Sequence, residues 1–236
     1  MPDAKRRGFF ITGTDTEVGK TYVTCALMRM LAQEGLSVGG MKPVSSGGAW
    51  IDGQWRNEDA WSLMQSGTVR IPYASMNPYA FEMPVSPHIA AKNEGRVVDE
   101  AVIYAAFERI STDVDCLLVE GAGGWLTPLR QDFAISDLAL GLGLPVVMVV
   151  GLKLGCISHA RITDRLIRES GVAYAGWVAN YMDPGFAMAR ETEASLVHYL
   201  GAEPLGRLGF SGKGADFDVG QNNHWNCVEI LRQLTP

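Results

Sequence analysis

The most constraining feature of the sequence is a glycine-bounded loop that joins an apolar segment to a segment with helical periodicity. The loop reads GTDTEVGKT over residues 13–21. It follows the apolar segment Gly8–Thr12, and apolar side chains recur at helical spacing after it. A loop that runs from a strand into a helix N-terminus offers backbone N–H groups and a partial positive charge to an anion. The sequence therefore predicts a phosphate-binding loop.

Lys20 and Thr21 are the residues of this loop that nucleotide binding would use. A lysine at this place reaches the β- and γ-phosphates, and the following hydroxyl ligates Mg²⁺. Five residues separate Gly13 from Gly19, one more than in the usual pattern. Because a GKT tripeptide also occurs by chance, the prediction depends on its placement between a strand and a helix.

Short apolar segments alternate with longer helical segments along the chain. The predicted strands are Gly8–Thr12, Ser37–Met41, Cys116–Glu120, Pro145–Val150, Tyr174–Ala179 and Pro204–Leu208. The predicted helices are Thr21–Glu34, Asp99–Ile110 and Ser158–Ser170, with a short helix at the end of the chain. Several of the strands are apolar throughout, as in parallel sheets that are covered on both faces. We therefore expect an α/β fold in which a doubly wound, mostly parallel sheet carries helices on both faces.

No repeat and no low-complexity linker divides the chain, so residues 1–236 are expected to form a single domain. The glycine-rich stretch Ser45–Gly53 is interpreted as a surface loop.

Charge and hydropathy exclude several classes of protein. The formal net charge of −6 argues against a nucleic-acid partner. The longest apolar run, Leu144–Val150, is far shorter than the roughly 20 residues of a membrane span. The basic N-terminus is followed by too short an apolar segment for a signal peptide. Four scattered cysteines without a CxxC pair indicate free thiols in a reducing compartment, so we expect a cytoplasmic protein that binds no membrane.

Three charged residues are candidates for the chemistry. Glu120 ends the apolar segment Cys116–Val119, where an unpaired charge is costly and where ligands bind in parallel sheets, although an exposed loop carboxylate is the alternative. Asp59 lies at a predicted helix start, and taken alone it is better explained by helix capping or by its interaction with the helix dipole. Lys42 follows the second strand, either as a solvated strand end or as a charge that neutralises anionic oxygens. The residues alone leave these alternatives open.

Taken in order, the motifs resemble those of the dethiobiotin synthetase family. They cover about residues 8–210 and are GTDTEVGKT at 13–21, KPVSSG at 42–47, NEDA at 57–60, NPYAF at 77–81, SPHIAA at 86–91, VEGAGGW at 119–125, LPVVMVVGLKLGCISHA at 144–160 and GWVAN at 176–180. The phosphate loop resembles that of the family in its extra residue as well. The resemblance implies a fold like that of the P-loop NTPases.

The resemblance also implies a reaction. In this family 7,8-diaminopelargonate takes up CO₂ at one amine, and the carbamate attacks the γ-phosphate of ATP. The second amine then closes a ureido ring and expels phosphate, with Mg²⁺ as cofactor. Such chemistry depends on positioning and charge neutralisation more than on a strong base.

The resemblance implies roles for individual residues of this chain. Lys20 and Lys42 are the implied catalytic residues, and Thr21, Asp59 and Glu120 the implied metal ligands. The implied ATP-binding residues are Thr16, Glu17, Val18, Gly19, Lys20, Thr21, Tyr22, Asp59, Glu120, Gly121, Ala122, Gly123, Asn180, Tyr181, Gly209, Phe210 and Ser211. The implied substrate-binding residues are Thr16, Lys42, Ser46, Gly155, Cys156, Ile157 and Ser158.

The family holds the distant carboxylate of its substrate near a subunit interface, which implies a homodimer. The matching segment here is Gly155–Ser158, at the predicted start of a helix, where a serine replaces a frequent asparagine and can act as the helix cap. Asn180 matches the position that reads the adenine edge. The sequence departs from the family at Gly206–Phe210, where a proline is frequent, so its nucleotide selectivity is left open.

Two other functions fit the sequence less well. Partition and division-site ATPases carry KGGxGKT, but this loop has no corresponding extra lysine, and a switch protein requires neither KPVSSG nor Gly155–Ser158. ATP-dependent amide-forming domains of cofactor synthesis are usually part of longer chains. His88, His159, His198 and His224 form no spaced ligand set, and His88 is assigned no catalytic role.

Overall fold

A computed structural model describes residues 8–210 and 223–234. Its strands are β1 (Gly8–Gly13), β2 (Val38–Met41), β3 (Val44–Ser46), β4 (Ala49–Ile51), β5 (Gln54–Arg56), β6 (Tyr79–Phe81), β7 (Cys116–Gly124), β8 (Pro128–Arg130), β9 (Phe133–Ala134), β10 (Val146–Gly151), β11 (Tyr174–Asn180), β12 (Gly206–Leu208) and β13 (Asn223–Trp225). Its helices are α1 (Lys20–Gln33), α2 (Glu58–Ser66), α3 (Tyr73–Met76), α4 (Pro87–Asn93), α5 (Glu100–Ser111), α6 (Ile135–Leu142), α7 (Cys156–Glu169), α8 (Ala189–Leu200) and α9 (Cys227–Leu234).

The main sheet has seven strands in the order β13-β12-β11-β10-β1-β7-β2. All neighbours in it are parallel except β12 and β13. The chain passes from β1 to β2 and β7 on one side, and later to β10, β11 and β12 on the other. The strand order therefore reverses beside β1, and ligands of open α/β sheets bind at the carboxyl ends of strands at such a point.

The centre of the sheet is covered on both faces. Every residue of β1 and β10 is buried, and successive side chains of a strand point to opposite faces. Helix α1 contributes a buried apolar stripe at helical spacing, made of Val23, Ala26, Leu27, Met30 and Leu31. The mostly parallel α/β fold that the sequence predicts is confirmed.

The structure differs from the sequence prediction in three places. Ser45–Gly53 is not a plain surface loop, because Ser45 is buried in β3 and the segment continues into the antiparallel hairpin β4–β5. Strand β7 extends four residues beyond Glu120, so this glutamate lies inside the strand opposite Ile11. Strand β13 is antiparallel and too short for the period-2 signal on which strand prediction depends.

No helix in the described ranges is both long enough and apolar enough to span a membrane. Among the four cysteines, Cys25, Cys116 and Cys156 are free and buried, and Cys227 is free and half-buried.

Candidate active site

The phosphate loop connects β1 to α1, as the sequence predicts. Gly19 occupies the N-cap of α1 with a left-handed φ of 81°, and the non-glycine Glu17 also has a positive φ of 57°. The Lys20 ammonium group donates a hydrogen bond of 2.9 Å to the backbone oxygen of Asp15, so the lysine folds back over its own loop. Thr16 and Glu17 are exposed on this loop, whereas Val18 is buried. The loop therefore presents one ammonium group and a helix N-terminus at the same place.

Lys42 lies at the centre of a buried cluster of charges beside the loop. Its Nζ atom is 2.6 Å from Glu120 Oε1 and 3.0 Å from Asp59 Oδ2. Thr21 Oγ1 donates to the same oxygen of Glu120 at 2.8 Å. The side chain of Glu120 is fully buried, and that of Lys42 is 4% exposed. The structure thus brings four sequence-predicted residues together, Lys42 from the position after β2 and the others from α2, β7 and α1.

The pKa values in this cluster are shifted by burial and by mutual attraction. Burial disfavours the charged form of Lys42, but Glu120 and Asp59 outweigh it and raise the pKa of Lys42 above its ordinary value. Burial acts to raise the pKa of Asp59, yet Lys42 lowers it overall. Burial, together with repulsion from Lys42, lowers the pKa of Lys20 to about 8. Lys42 is therefore held in its charged form and carries the compensating charge for both carboxylates.

The backbone of Lys42 is fixed by residues that sequence reasoning did not single out. Its N–H donates to the carbonyl of Met76, and its carbonyl accepts a 2.6 Å hydrogen bond from Asn77 Nδ2. The Asn77 amide oxygen accepts in turn from Ser45 Oγ at 3.0 Å. Asn77 is buried and begins the NPYAF motif. An asparagine at the start of an otherwise apolar motif was the available signal for this supporting role.

The N-terminus of α2 shows whether Asp59 caps the helix or faces the site. The N-cap of α2 is Asn57, whose side chain accepts a hydrogen bond from the N–H of Ala60. The cap is thus supplied two residues before Asp59, and the Asp59 carboxylate is directed to Lys42 instead. The capping explanation favoured by the sequence alone is wrong for this residue.

A cavity of about 530 Å³ opens over the cluster. Among its walls are the predicted residues Thr16, Glu17, Lys20, Lys42, Ser46, Asp59, Ala122 and Gly123. Its opposite wall is formed by 84–87 and Thr127, which the sequence analysis did not assign. This volume lies in the range of small-molecule sites.

Two buried oxygen atoms in this region have no hydrogen-bond partner among the described residues. They are Oε2 of Glu120 and Oγ of Ser46. A buried carboxylate oxygen without a donor is costly, and a bound cation at this oxygen would offset that cost. With Asp59 and the Thr21 hydroxyl, Glu120 supplies the hard oxygen ligands that Mg²⁺ prefers. Within the described ranges, no group of three or more His, Cys, Asp or Glu side chains could hold a metal ion.

A second group of predicted residues lies at the ends of β11 and β12. Asn180 is buried, and its Nδ2 donates to the backbone oxygen of Val18 at 2.9 Å. Tyr22 donates to the backbone oxygen of Gly209 at 3.2 Å, and Phe210 is exposed next to it. Gly121 is buried in β7, and Tyr181 follows Asn180 directly. Ser211 lies outside the described residues.

The predicted carboxylate-binding segment does not line the cavity over the Lys42 cluster. Within the described part of the chain, the walls of the 530 Å³ cavity do not include Gly155, Cys156, Ile157 or Ser158. The cap of α7 is Gly155, with a φ of 90°, so the prediction that Ser158 can cap this helix is wrong. Ser158 instead lies in the exposed first turn, and Cys156 is buried. The preceding Leu154 is 92% exposed.

Comparison with known proteins extends over most of the chain. The family model described as "AAA domain" matches residues 7–212. The chain is 46% identical over 200 residues to the ATP-dependent dethiobiotin synthetase BioD of Aromatoleum aromaticum, which covers 85% of this chain and 89% of that protein. It is 42% identical over 200 residues to the ATP-dependent dethiobiotin synthetase BioD 1 of Escherichia coli K12, with the same two coverages of 85% and 89%.

Solved structures with a similar fold are much more distant in sequence. The MinD cell division protein of Aquifex aeolicus superposes with a TM-score of 0.55 at 18% identity, covering 89% of this chain and 85% of that one. A ParA family ATPase of Chlorobium tepidum TLS gives a TM-score of 0.53 at 14% identity, covering 86% of this chain and 84% of that one. At these identities the likeness concerns the fold alone.

Proposed function

The chain belongs to the ATP-dependent dethiobiotin synthetase family, and on that premise we propose that it uses ATP to close a ureido ring on 7,8-diaminopelargonate and CO₂. The observation that carries the proposal is the buried cluster of Lys42, Asp59 and Glu120 beside the phosphate loop. A phosphate loop alone would serve any nucleotide-binding protein. A second buried lysine, held in charged form at the same cavity, suits a substrate that itself carries anionic oxygens.

We assign the triphosphate of ATP to the loop at residues 13–21. The N–H groups that begin α1 point toward this loop, and Lys20 is close enough to exchange the Asp15 carbonyl for phosphate oxygens. The adenine end then extends toward the ends of β11 and β12, where Asn180 is tied to Val18 of the loop. This placement gives ATP-binding roles to Thr16, Glu17, Tyr22, Gly121 and Gly209 with their neighbours.

The diamine is assigned to the cavity between Lys42 and the 84–87 wall. One amine of the substrate takes up CO₂ and releases a proton, which leaves a carbamate. A carbamate oxygen then forms a bond to the γ-phosphorus as ADP leaves. The second amine attacks the carbamate carbon, closes the ring and expels phosphate. Lys42 and Lys20 neutralise the oxygens that gain charge in these steps, while Ser46 offers its unpartnered hydroxyl to the substrate.

Thr21, Asp59 and Glu120 are the residues that would hold Mg²⁺. The ion supplies charge neutralisation on the phosphate oxygens when it is bound. Lys42 pairs with both carboxylates, while Oε2 of Glu120 has no partner among the described residues. A cation held there would compensate the two carboxylates, so that the Lys42 ammonium group would serve substrate oxygens.

We further propose a cytoplasmic homodimer in which residues 1–236 act as one domain. Strands of the same sheet come from residues as far apart as Gly8 and Trp225, which supports one folding unit. Leu154, Gly155 and Ser158 are exposed at the start of α7, which supports a role at a subunit interface, where Gly155–Ser158 would reach the substrate carboxylate of the partner's site. The four free cysteines fit a reducing compartment.

The test is phosphate release from Mg·ATP and bicarbonate, with and without 7,8-diaminopelargonate, followed by mass analysis of the product. We expect release that depends on the diamine, with one ureido product for each phosphate. Hydrolysis that does not depend on the diamine would instead indicate a nucleotide switch. The absence of any release would indicate a different amide-forming substrate.

A further inference from the structure

A buried carboxylate on α8 joins two strand ends that lie away from Lys42. Glu193 is 8% exposed. Its Oε2 accepts a hydrogen bond of 2.6 Å from the Tyr181 hydroxyl, and its Oε1 accepts one of 2.7 Å from Arg207 Nε. A buried carboxylate is tolerated when its oxygens are paired, and both oxygens of Glu193 are used. One donor, Tyr181, directly follows β11 and the other, Arg207, lies in β12, so one side chain links the ends of two neighbouring strands.

These strand ends carry the residues assigned to the nucleotide base. Tyr181 follows Asn180, and its N–H donates to the carbonyl of Leu208 at 2.9 Å. Arg207 lies in β12, two residues before Gly209, whose carbonyl accepts from Tyr22 of α1. Glu193 is therefore linked to the start of α1 through Arg207, the backbone up to Gly209 and the hydrogen bond from Tyr22. A displacement of either strand end would move the base-binding segment relative to the phosphate loop.

A cavity of about 810 Å³ adjoins the same residues. Its walls include Tyr181, Glu193, Arg207, Gly209 and Phe210. A cavity of this size accommodates a purine base with its ribose. Because Phe210 is exposed there, it offers an aromatic face for a planar base.

We propose that Glu193 is a positioning residue for the nucleotide base, which acts by holding Tyr181 and Arg207 in place, since both of its carboxylate oxygens are paired with these two side chains. The proposal rests on the proposed function, since it assumes that the base lies at the ends of β11 and β12. Burial, reinforced by Glu193, raises the pKa of Tyr181 to about 12, so its hydroxyl remains a donor at neutral pH. Arg207 also contacts Glu203, which keeps its charge partly compensated if Glu193 is removed.

Substitutions of Glu193 by leucine and by glutamine distinguish a positioning role from general damage to the fold. Leucine at position 193 accepts no hydrogen bond and releases both strand ends. Glutamine accepts from Arg207 through its oxygen and donates through its amide to the Tyr181 hydroxyl, which is able to accept. The glutamine variant therefore keeps the geometry without the charge, and it should rescue nucleotide binding.

The experiment is a calorimetric titration of Mg·ADP and Mg·CDP into the full chain and its variants, with KM values measured for ATP and for the diamine. In Glu193→Leu, Mg·ADP binding should weaken about tenfold, because the variant loses the hydrogen bonds that Tyr181 and Arg207 donate to a charged group. Mg·CDP binding should weaken less, so the Kd values for Mg·ADP and Mg·CDP should become more similar. The KM for ATP should rise while the KM for the diamine stays constant. Glu193→Gln should bind close to the original protein.

Two further variants complete the test. Tyr181→Phe removes one of the two hydrogen bonds and should weaken Mg·ADP binding about threefold, which tests the idea even if Glu193→Leu fails to fold. Glu169→Leu alters an exposed helical glutamate paired with Arg165 and should leave both titrations unchanged.

Unaltered Mg·ADP affinity in a folded Glu193→Leu protein would overturn the proposal. So would equal losses for ADP, CDP and the diamine without rescue by glutamine, since that pattern indicates structural damage. If the original protein forms no ureido product, the proposed function fails, but the nucleotide titrations still decide the role of Glu193.

Discussion

Replacing Lys42 with methionine tests the central electrostatic interaction of the candidate active site. Methionine keeps most of the side-chain length and removes the ammonium group. Glu120 is fully buried, whereas the Asp59 side chain is 46% exposed and screened by water, so Glu120 dominates the cost. Leaving a buried charge without its partner costs about 3–5 kcal/mol of unfolding free energy. In a chain of this size that corresponds to a melting temperature lower by about 6–20 °C.

The assay is thermal unfolding of Lys42→Met in metal-free buffer and again with MgCl₂. Magnesium should restore part of the loss because a cation can take the place of the ammonium group on the two carboxylates. At a concentration of about 100 times Kd, such binding contributes about 2.7 kcal/mol. Turnover should fall at least about 100-fold even with Mg²⁺, as expected when a charge partner of the transition state is lost.

Two variants control for effects unrelated to Glu120. Arg165→Met breaks the exposed ion pair with Glu169 and should change stability by less than about 1 kcal/mol. The double variant Lys42→Met/Glu120→Gln should be more stable than Lys42→Met, because no uncompensated charge remains at position 120. If Lys42→Met alone melts within about 2 °C of the original protein in metal-free buffer, Lys42 is not the compensating charge, and our reading of the cluster is refuted.

Three other substitutions test the metal ligands, the phosphate loop and the proposed subunit interface. Glu120→Gln should raise the Mg²⁺ concentration needed for half-maximal phosphate release at least about tenfold, and an unchanged metal titration would argue against ligation. Gly19→Ala should weaken ATP binding, measured by calorimetry, because its Cβ would lie 2.1 Å from Asn180 Nδ2 and its φ of 81° disfavours alanine. Leu154→Glu should produce monomers in light scattering and raise the KM for the diamine, whereas a variant that stays dimeric with normal kinetics would place the interface elsewhere.

The sequence predicts the framework of the site well because its signals are local. Apolar runs mark the central strands, and the glycines and Lys20 mark the phosphate loop without any knowledge of distant contacts. Asp59 shows where local reasoning fails. Its position at a helix start suggests a cap, and only the three-dimensional structure reveals that Asn57 is the cap and that Asp59 contacts Lys42.

The residues that hold the site in place are harder to predict, because their partners are distant in sequence. Asn77 holds the Lys42 carbonyl from 35 residues away, and Glu193 joins side chains that lie 12 and 14 residues from it in sequence. None of these pairs produces a periodic pattern or a recognised spacing. The Glu193 contacts depend on the parallel pairing of β11 with β12, which brings the ends of these two strands together.

The charges of the site explain why a shared fold can support a distinct reaction. A protein with the MinD cell division fold and this chain have similar sheets at 18% identity, so the sheet alone does not select the chemistry. In this chain, the Lys42 ammonium group lies between the carboxylates of Asp59 and Glu120, and the Lys20 ammonium group lies on the phosphate loop against the Asp15 carbonyl. A cation held by Thr21, Asp59 and Glu120 would compensate the two carboxylates, and Lys42 would then serve anionic oxygens at the end of β2 while Lys20 serves those at the phosphate loop. A reaction that joins a carbamate to a γ-phosphate requires positive charge at both places, which is why we regard Lys42, rather than the phosphate loop, as the residue that sets the chemistry.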